Sequence, residues 1–197
     1  MNNTKQKILT AALDLISKQG YAGTSIRQIA RKVGVRESAI YNHFKSKGEI
    51  FNSIIANIRM RSRSADLLND DLLNDLTNPE KFLRNLAHRI IDQWGSVEEL
   101  KIIRLLFMEQ FSLIGSKELS ISGYLNDVNS ICKLILTEMM NNGIIKKGNA
   151  EMLAGEFTAR LFLIRADYLS FEAKIKTKII FEMTNKHVEF FWNSIKI

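Results

Sequence analysis

Residues Thr24 to Lys47 read TSIRQIARKVGVRESAIYNHFKSK, and the spacing within them decides the class of fold. Ile26, Ile29, Ala30 and Val33 recur at helical intervals. Gly34 interrupts them, and Val35, Ala39, Ile40 and Phe44 resume a second stripe. The pattern predicts a helix, a tight turn and a helix. Arg27, Arg31, Lys32, Arg36, Lys45 and Lys47 stand between the apolar positions, and Tyr41, Asn42 and His43 fall together on the outer side of the second helix. A short, basic surface that can hydrogen-bond suits a groove of duplex DNA.

Outward from this stretch the same periodicity continues. Ile8, Leu9, Ala12, Leu13 and Ile16 predict a first helix over about Thr4 to Gln19, with Gly20 as a left-handed cap. Ser25 with Gln28 has the form of a capping box opening the second helix. Ser46 with Glu49 repeats that form at the start of a fourth helix, whose free backbone N–H groups beside Lys47 suit a phosphate. Asn78-Pro79-Glu80 opens a fifth helix running to Trp94, and Ser96 with Glu99 opens a sixth reaching about Ile114. From Ile102 onward the sixth is apolar on nearly every face, so it is expected to be surrounded by protein, with Arg104, Glu109 and Gln110 needing partners. Further helices are expected up to Asn142-Gly143, from the cap Asn149, and over about Lys174 to Ser194. No stretch alternates as a strand does, so the predicted class is all-α with about nine helices.

Charge is unevenly placed. Residues 1–63 carry twelve Lys or Arg against Asp14, Glu37 and Glu49, a net of +9, while the remainder carries sixteen against eighteen, a net of −2, for +7 overall. A polyanion partner is therefore expected for the N-terminal third, nucleic acid ahead of an anionic membrane surface. One cysteine, Cys132, excludes an internal disulfide framework and fits a reducing compartment. The start MNNTKQKIL has no apolar signal core, and no membrane span is expected, so the expected location is the cytoplasm. His43, His88 and His187 form no metal-binding pair, and there is no phosphate loop or serine elbow. No catalytic residue, metal site or cofactor is expected, and the chain is not expected to be an enzyme.

The string AALDLISKQGYAGTSIRQIARKVGVRESAIYNHFKSKGEIF resembles the DNA-binding segment of the tetracycline-repressor (TetR) family of bacterial regulators. The likeness rests on Ala11-Ala12 and Leu15, Gly20, Thr24-Ser25, Ile29-Ala30, Gly34-Val35, Ile40-Tyr41, His43-Phe44 and Lys47. It implies a three-helix helix-turn-helix domain over residues 1–46 and a helical ligand-binding and dimerisation domain over 47–197. By that resemblance Thr24 or Ser25, Arg27, Tyr41, His43 and Lys47 would contact backbone phosphates, which position without specifying. Arg36, Glu37, Ser38, Ala39 and Asn42 would face base edges. Arg36 and Ala39 depart from the family's usual residues there, which leaves the operator sequence open. Arg36 suits either a two-pronged contact to guanine or a phosphate, and Glu37 suits either a base edge or the positive end of its own helix.

The last two predicted helices carry more apolar residues than one buried face needs, among them Met152, Leu153, Phe157, Leu161, Phe162, Ile179, Phe190, Phe191 and Trp192. A homodimer through these two helices satisfies that excess and resembles the family's usual arrangement. Trp94, Phe107, Met108, Phe111, Tyr124, Met139 and Phe157 are plain core residues singly, yet as a group they fit a large hydrophobic effector. Arg104 or Arg165 could receive an acidic head group or pair with Glu109 or Asp167. The expected function is a repressor released from a palindromic double-stranded operator by a small hydrophobic ligand. The alternatives are an activator or co-repressor-type regulator of the same fold, and a helical protein that binds lipophilic ligands without DNA.

Overall fold

The computed structural model describes residues 3–60, 67, 68, 72, 75, 77–109, 120–167 and 177–197. Among the described residues the chain forms α1 (Asn3–Gly23), α2 (Ile26–Val33), α3 (Glu37–Tyr41), α4 (Lys47–Met60), α5 (Pro79–Trp94), α6 (Val97–Glu109), α7 (Ile121–Asn141), α8 (Ala150–Ala166) and α9 (Thr177–Ile195). There is no strand among them; Ile145 and Lys196 make a single isolated bridge. The all-α class expected from periodicity holds.

The helices fall into two compact units, residues 1–61 with 97–124, and residues 62–96 with 125–197. In the first, α1 is the central post, packed by α2, α4 and α6. Ile8, Ala12 and Ile16 line its fully buried face, and Ile29, Ile40, Phe44, Ile50 and Phe51 close on it. Asp14 is also buried on this post, and three ammonium groups reach its carboxylate: Lys18 from the next turn at 3.2 Å, Lys32 from α2 at 2.7 Å and Lys101 from α6 at 2.8 Å. Burial alone raises such a carboxyl, but the bonds from Lys101, Lys32 and Lys18 override it and hold Asp14 well below the usual carboxylate range.

Gly20 departs from its expected role. Its φ of 77° is positive, but ψ is 167°, so it kinks α1 instead of capping it, and one more turn follows to Gly23. Just past the kink, the Tyr21 N–H donates to Glu109 Oε1 of α6 at 2.7 Å. Glu109, buried as expected, thus finds a partner on α1. On α6, Ile102, Ile103, Leu105 and Leu106 are buried, but Phe107 and Met108 are 40% and 45% exposed, so the expectation of burial on every face is corrected there. Gln110, Phe111 and Ile114 lie outside the described residues. The second capping box also differs: Ser46 Oγ accepts from the Glu49 N–H at 3.1 Å, but the Glu49 carboxylate reaches back one residue further, to the Lys45 N–H at 2.5 Å.

In the second unit α5, α8 and α9 pack together. Asn78 caps α5 by accepting from the Lys81 N–H, with Pro79 in its first turn, and Asn149 caps α8 by accepting from Glu151 and Met152, as their sequence signatures require. Trp94 and Phe162 meet edge to face at 5.7 Å, and Phe157 and Phe191 lie 4.9 Å apart. Cys132 is buried and its thiol is pushed up to about 12, which makes it inert as a redox sensor.

Asp14→Asn leaves three ammonium groups facing a neutral amide across three helices. It should lower stability at pH 7 by roughly 1–3 kcal/mol, the lysines being part-exposed. Because the folded-state carboxyl titrates below the unfolded one, this contribution is present above about pH 4 and lost as pH falls below it. Thermal unfolding of both proteins across pH 3–7 checks this: the gap between them should close at the acid end, and a constant gap would contradict it.

Candidate nucleic-acid interface

The reading element is built by local rules. Ser25, in extended backbone, accepts from the Gln28 N–H, and Gln28 Oε1 accepts from the Ser25 N–H at 2.8 Å, so the capping box is complete. At the far end of α2, Gly34 takes φ 81°, ψ 31°, and its N–H returns to Ala30 and Arg31. A Cβ there would meet nothing within 4 Å, so it is the backbone angle that calls for glycine. The chain then turns into α3, which is only five residues long. Buried Ile40 and, just beyond it, buried Phe44 anchor it inward, and the Lys5 ammonium lies 5.4 Å from the Phe44 ring centroid.

Fixing Ile40 and Phe44 inward turns the rest of α3 outward. Arg36, Glu37, Ser38, Tyr41, Asn42 and His43 are all exposed, and Ala39 is half-buried. Tyr41 is 53% exposed, high for an aromatic ring. Arg36 is the residue that precedes α3, but its side chain makes no capping bond and is left for other use. Glu37 lies in the first turn, where an acid is favoured in any case. Arg27 is exposed on α2 beside the helix start, whose first N–H groups have no intrahelical acceptor.

Two expected phosphate ligands are differently engaged. Thr24 is 2% exposed, and its hydroxyl donates to Gly20 O at 2.9 Å while accepting from Gln19 Nε2. Its side chain is structural, which leaves Ser25 as the surface member of that pair. Lys47 is half-buried; its ammonium donates to Tyr21 O at 2.8 Å and Thr24 O at 2.6 Å and sits 4.1 Å from the Tyr21 ring centroid. Tyr21 and Gln19 carried no signal in the sequence, since their partners lie across a turn or on another helix.

The expected effector residues are divided between the two units. Arg104, Phe107, Met108 and Tyr124 belong to the first unit and Trp94, Phe157 and Arg165 to the second, with Phe111 outside the described residues. Tyr124 is buried and donates its hydroxyl to Glu99 Oε2 at 2.5 Å. Arg165 Nε donates to Trp94 O at 3.3 Å; burial pulls its guanidinium down and Asp92 supports its charge, so Asp92 stands where Asp167 or Glu109 was expected. Phe157 is fully buried against His187, whose ring nitrogen lies 2.9 Å from Phe157 O. A cleft of about 380 Å³ in the first unit has a floor of Leu9, Leu13, Ile54, Ile58 and Ile102 and uses none of these residues. Among the described residues no cluster could hold a metal ion, and no helix is long and apolar enough to cross a membrane.

The sequence pattern of the bacterial regulatory proteins of the tetR family matches residues 8–54, which hold α1 from Ile8 on, α2, α3 and the first half of α4. AcrR of Shigella flexneri, an HTH-type transcriptional regulator, is 49% identical over 51 residues, 26% of this chain and 24% of that protein. The likeness to tetR-family regulators at this level of identity thus covers the head of the chain. The chain spans about a quarter of the length of AcrR; it spans 71% of the fatty acid metabolism regulator protein of Bacillus subtilis, to which 72% of it aligns at 27% identity. The solved structure of NalD, the secondary repressor of the MexAB-OprM multidrug efflux pump in Pseudomonas aeruginosa, superposes with a TM-score of 0.70 at 18% identity, covering all of this chain and 98% of that one. The likeness of fold therefore extends over the helical body as well as the head.

The expected base-edge and phosphate roles carry different expected effects. Arg36→Ala should change the ranking of duplex sequences, whereas His43→Ala should weaken all duplexes by a similar factor and lower the salt dependence of binding only if the imidazole is charged. Competition binding against a randomised duplex pool checks both, and a uniform loss from Arg36→Ala would contradict its role at base edges.

Proposed function

We propose that this chain is a homodimeric repressor that leaves a palindromic double-stranded operator when a small hydrophobic ligand binds. The observation that carries the proposal is the outward face of α3. Six exposed side chains able to hydrogen-bond stand on a rigid anchor, in the third of the chain that holds all the excess positive charge. Ser25, Arg27, Tyr41 and His43 are placed to fix register on phosphates, and Arg36, Glu37, Ser38, Ala39 and Asn42 to meet base edges. In this reading residues 1–46 read DNA, residues 47–197 receive the ligand and the partner copy, and the protein works in the cytoplasm.

A helix of five residues reads few base pairs, so specificity calls for two copies. Two-fold symmetry then matches a palindrome with half-sites about 34–36 Å apart. The second copy is proposed to sit on α8 and α9. Met152, Leu163, Ile179, Phe181 and Phe190 are exposed there, Phe190 to 76%. The ligand's effect on DNA affinity equals its differential affinity for the two head spacings and no more. A hydrophobic ligand is supported by the aromatic interior of the second unit and by the B. subtilis relative named for fatty acid metabolism.

Phe190→Asp should convert the protein to a monomer and weaken operator binding by at least about tenfold, with the fold unchanged because the side chain is already exposed. Sedimentation equilibrium with duplexes selected from genomic DNA checks this. A dimeric variant, or a wild-type protein that selects no duplex, would contradict the proposal.

A further inference from the structure

The peptide unit between Thr24 and Ser25 is the last one before α2, and both of its polar ends are held. Its C=O accepts from the Lys47 ammonium at 2.6 Å, and its N–H donates to Gln28 Oε1 at 2.8 Å. The bond to Gln28 is local, part of the capping box. The bond to Lys47 comes from the first residue of α4, 23 residues on, and the same ammonium also takes Tyr21 O at 2.8 Å and rests on the face of the Tyr21 ring. That ring is fixed in turn, edge-on to Phe51 of α4 at 5.0 Å. Tyr21 O further accepts from the Thr24 N–H at 3.2 Å, so one ammonium closes the whole turn from Tyr21 to Thr24.

We propose that Lys47, seated on Tyr21, is a positioning residue for DNA. It acts as a brace that orients the Thr24–Ser25 peptide and so aims the unbonded N–H groups at the start of α2, with Ser25 and Arg27, at a phosphate. The proposal rests on the DNA-binding reading above. Two of the three ammonium protons are spent inside the protein, and the ring face takes a share of its charge. A lysine that only served a phosphate would extend into solvent as a hydrated point charge. Here it is folded back onto two backbone carbonyls. The brace also ties the start of α2 to α4, so any displacement of α4 carries that peptide with it.

Lys47→Met in the full-length chain removes the brace and keeps the aliphatic stem. Duplex affinity should fall roughly tenfold at fixed salt, since two charge-assisted bonds are lost. The slope of log affinity against log salt should stay within about 0.3 of wild type, and the amides of Ser25 to Gln28 should exchange with solvent faster. Tyr21→Leu, which alters no charge, should weaken binding roughly threefold or more with the slope again unchanged. A slope reduced by about 0.9 per subunit in Lys47→Met would overturn the proposal in favour of a direct phosphate contact. Wild-type affinity in either variant would also overturn it. Were the wild-type protein to bind no duplex at all, the DNA-binding reading would fall instead. The exchange rates of Ser25 to Gln28 would still judge the brace, unchanged rates overturning it.

Discussion

Two carboxylates, Asp14 on α1 and Glu109 on α6, set the geometry of the first unit. Asp14 accepts ammonium groups from three helices, and Glu109 accepts the N–H that the kink at Gly20 exposes. An acid buried that deeply is destabilising unless paired, so its partners cannot drift without loss. The two bonds attach α6 to the middle and to the end of α1, and α2 is held through Lys32. The orientation of α3 follows: it has two inward anchors, Ile40 and Phe44, and its outer face points wherever that three-helix frame points it. A reading helix of five residues has no stability of its own and depends on this frame.

What the sequence made legible was local. Ser25 with Gln28, Gly34, Asn78-Pro79 and Asn149 are signals whose two halves lie within four residues, and each appears in the structure as its spacing requires. The outward face of α3 was also legible, because burial of Ile40 and Phe44 at helical spacing leaves the residues between them outside. What escaped was anything joined across the chain. Glu109 pairs with an N–H 88 positions away, and Lys47 with carbonyls 23 and 26 positions back. A glycine at position 20 shows only that an unusual backbone angle is wanted, and the ψ of 167° that turns a cap into a kink depends on what packs beyond it. The exposure of Phe107 and Met108 likewise reflects neighbours that periodicity does not reveal.

The chemistry of the surface divides the labour. In the proposed reading, the first unit's excess positive charge gives long-range attraction to a polyanion and its hydrogen-bonding face gives short-range discrimination among bases. The second unit shows a different character: its charge is balanced, and most of its exposed large apolar side chains among the described residues lie on α8 and α9, where water is a poor neighbour. In the proposed regulator these two surfaces share a purpose, since a short reading helix gains specificity by being paired. The aromatic residues buried in the second unit are compatible with a hydrophobic effector, but Arg165 is held by Trp94 O and Asp92 and contributes to structure first.

The central claim is that the frame around α1 presents the start of α2, the whole of α3 and the start of α4 as one DNA-facing surface. Amide chemical shifts of the isotopically labelled protein, followed as a selected duplex is titrated in, test it most directly. The account predicts changes concentrated at Ser25 to Gln28, Arg36 to His43 and Lys47 to Glu49. Shifts that left those amides in place and gathered on α5 or α9 would contradict it.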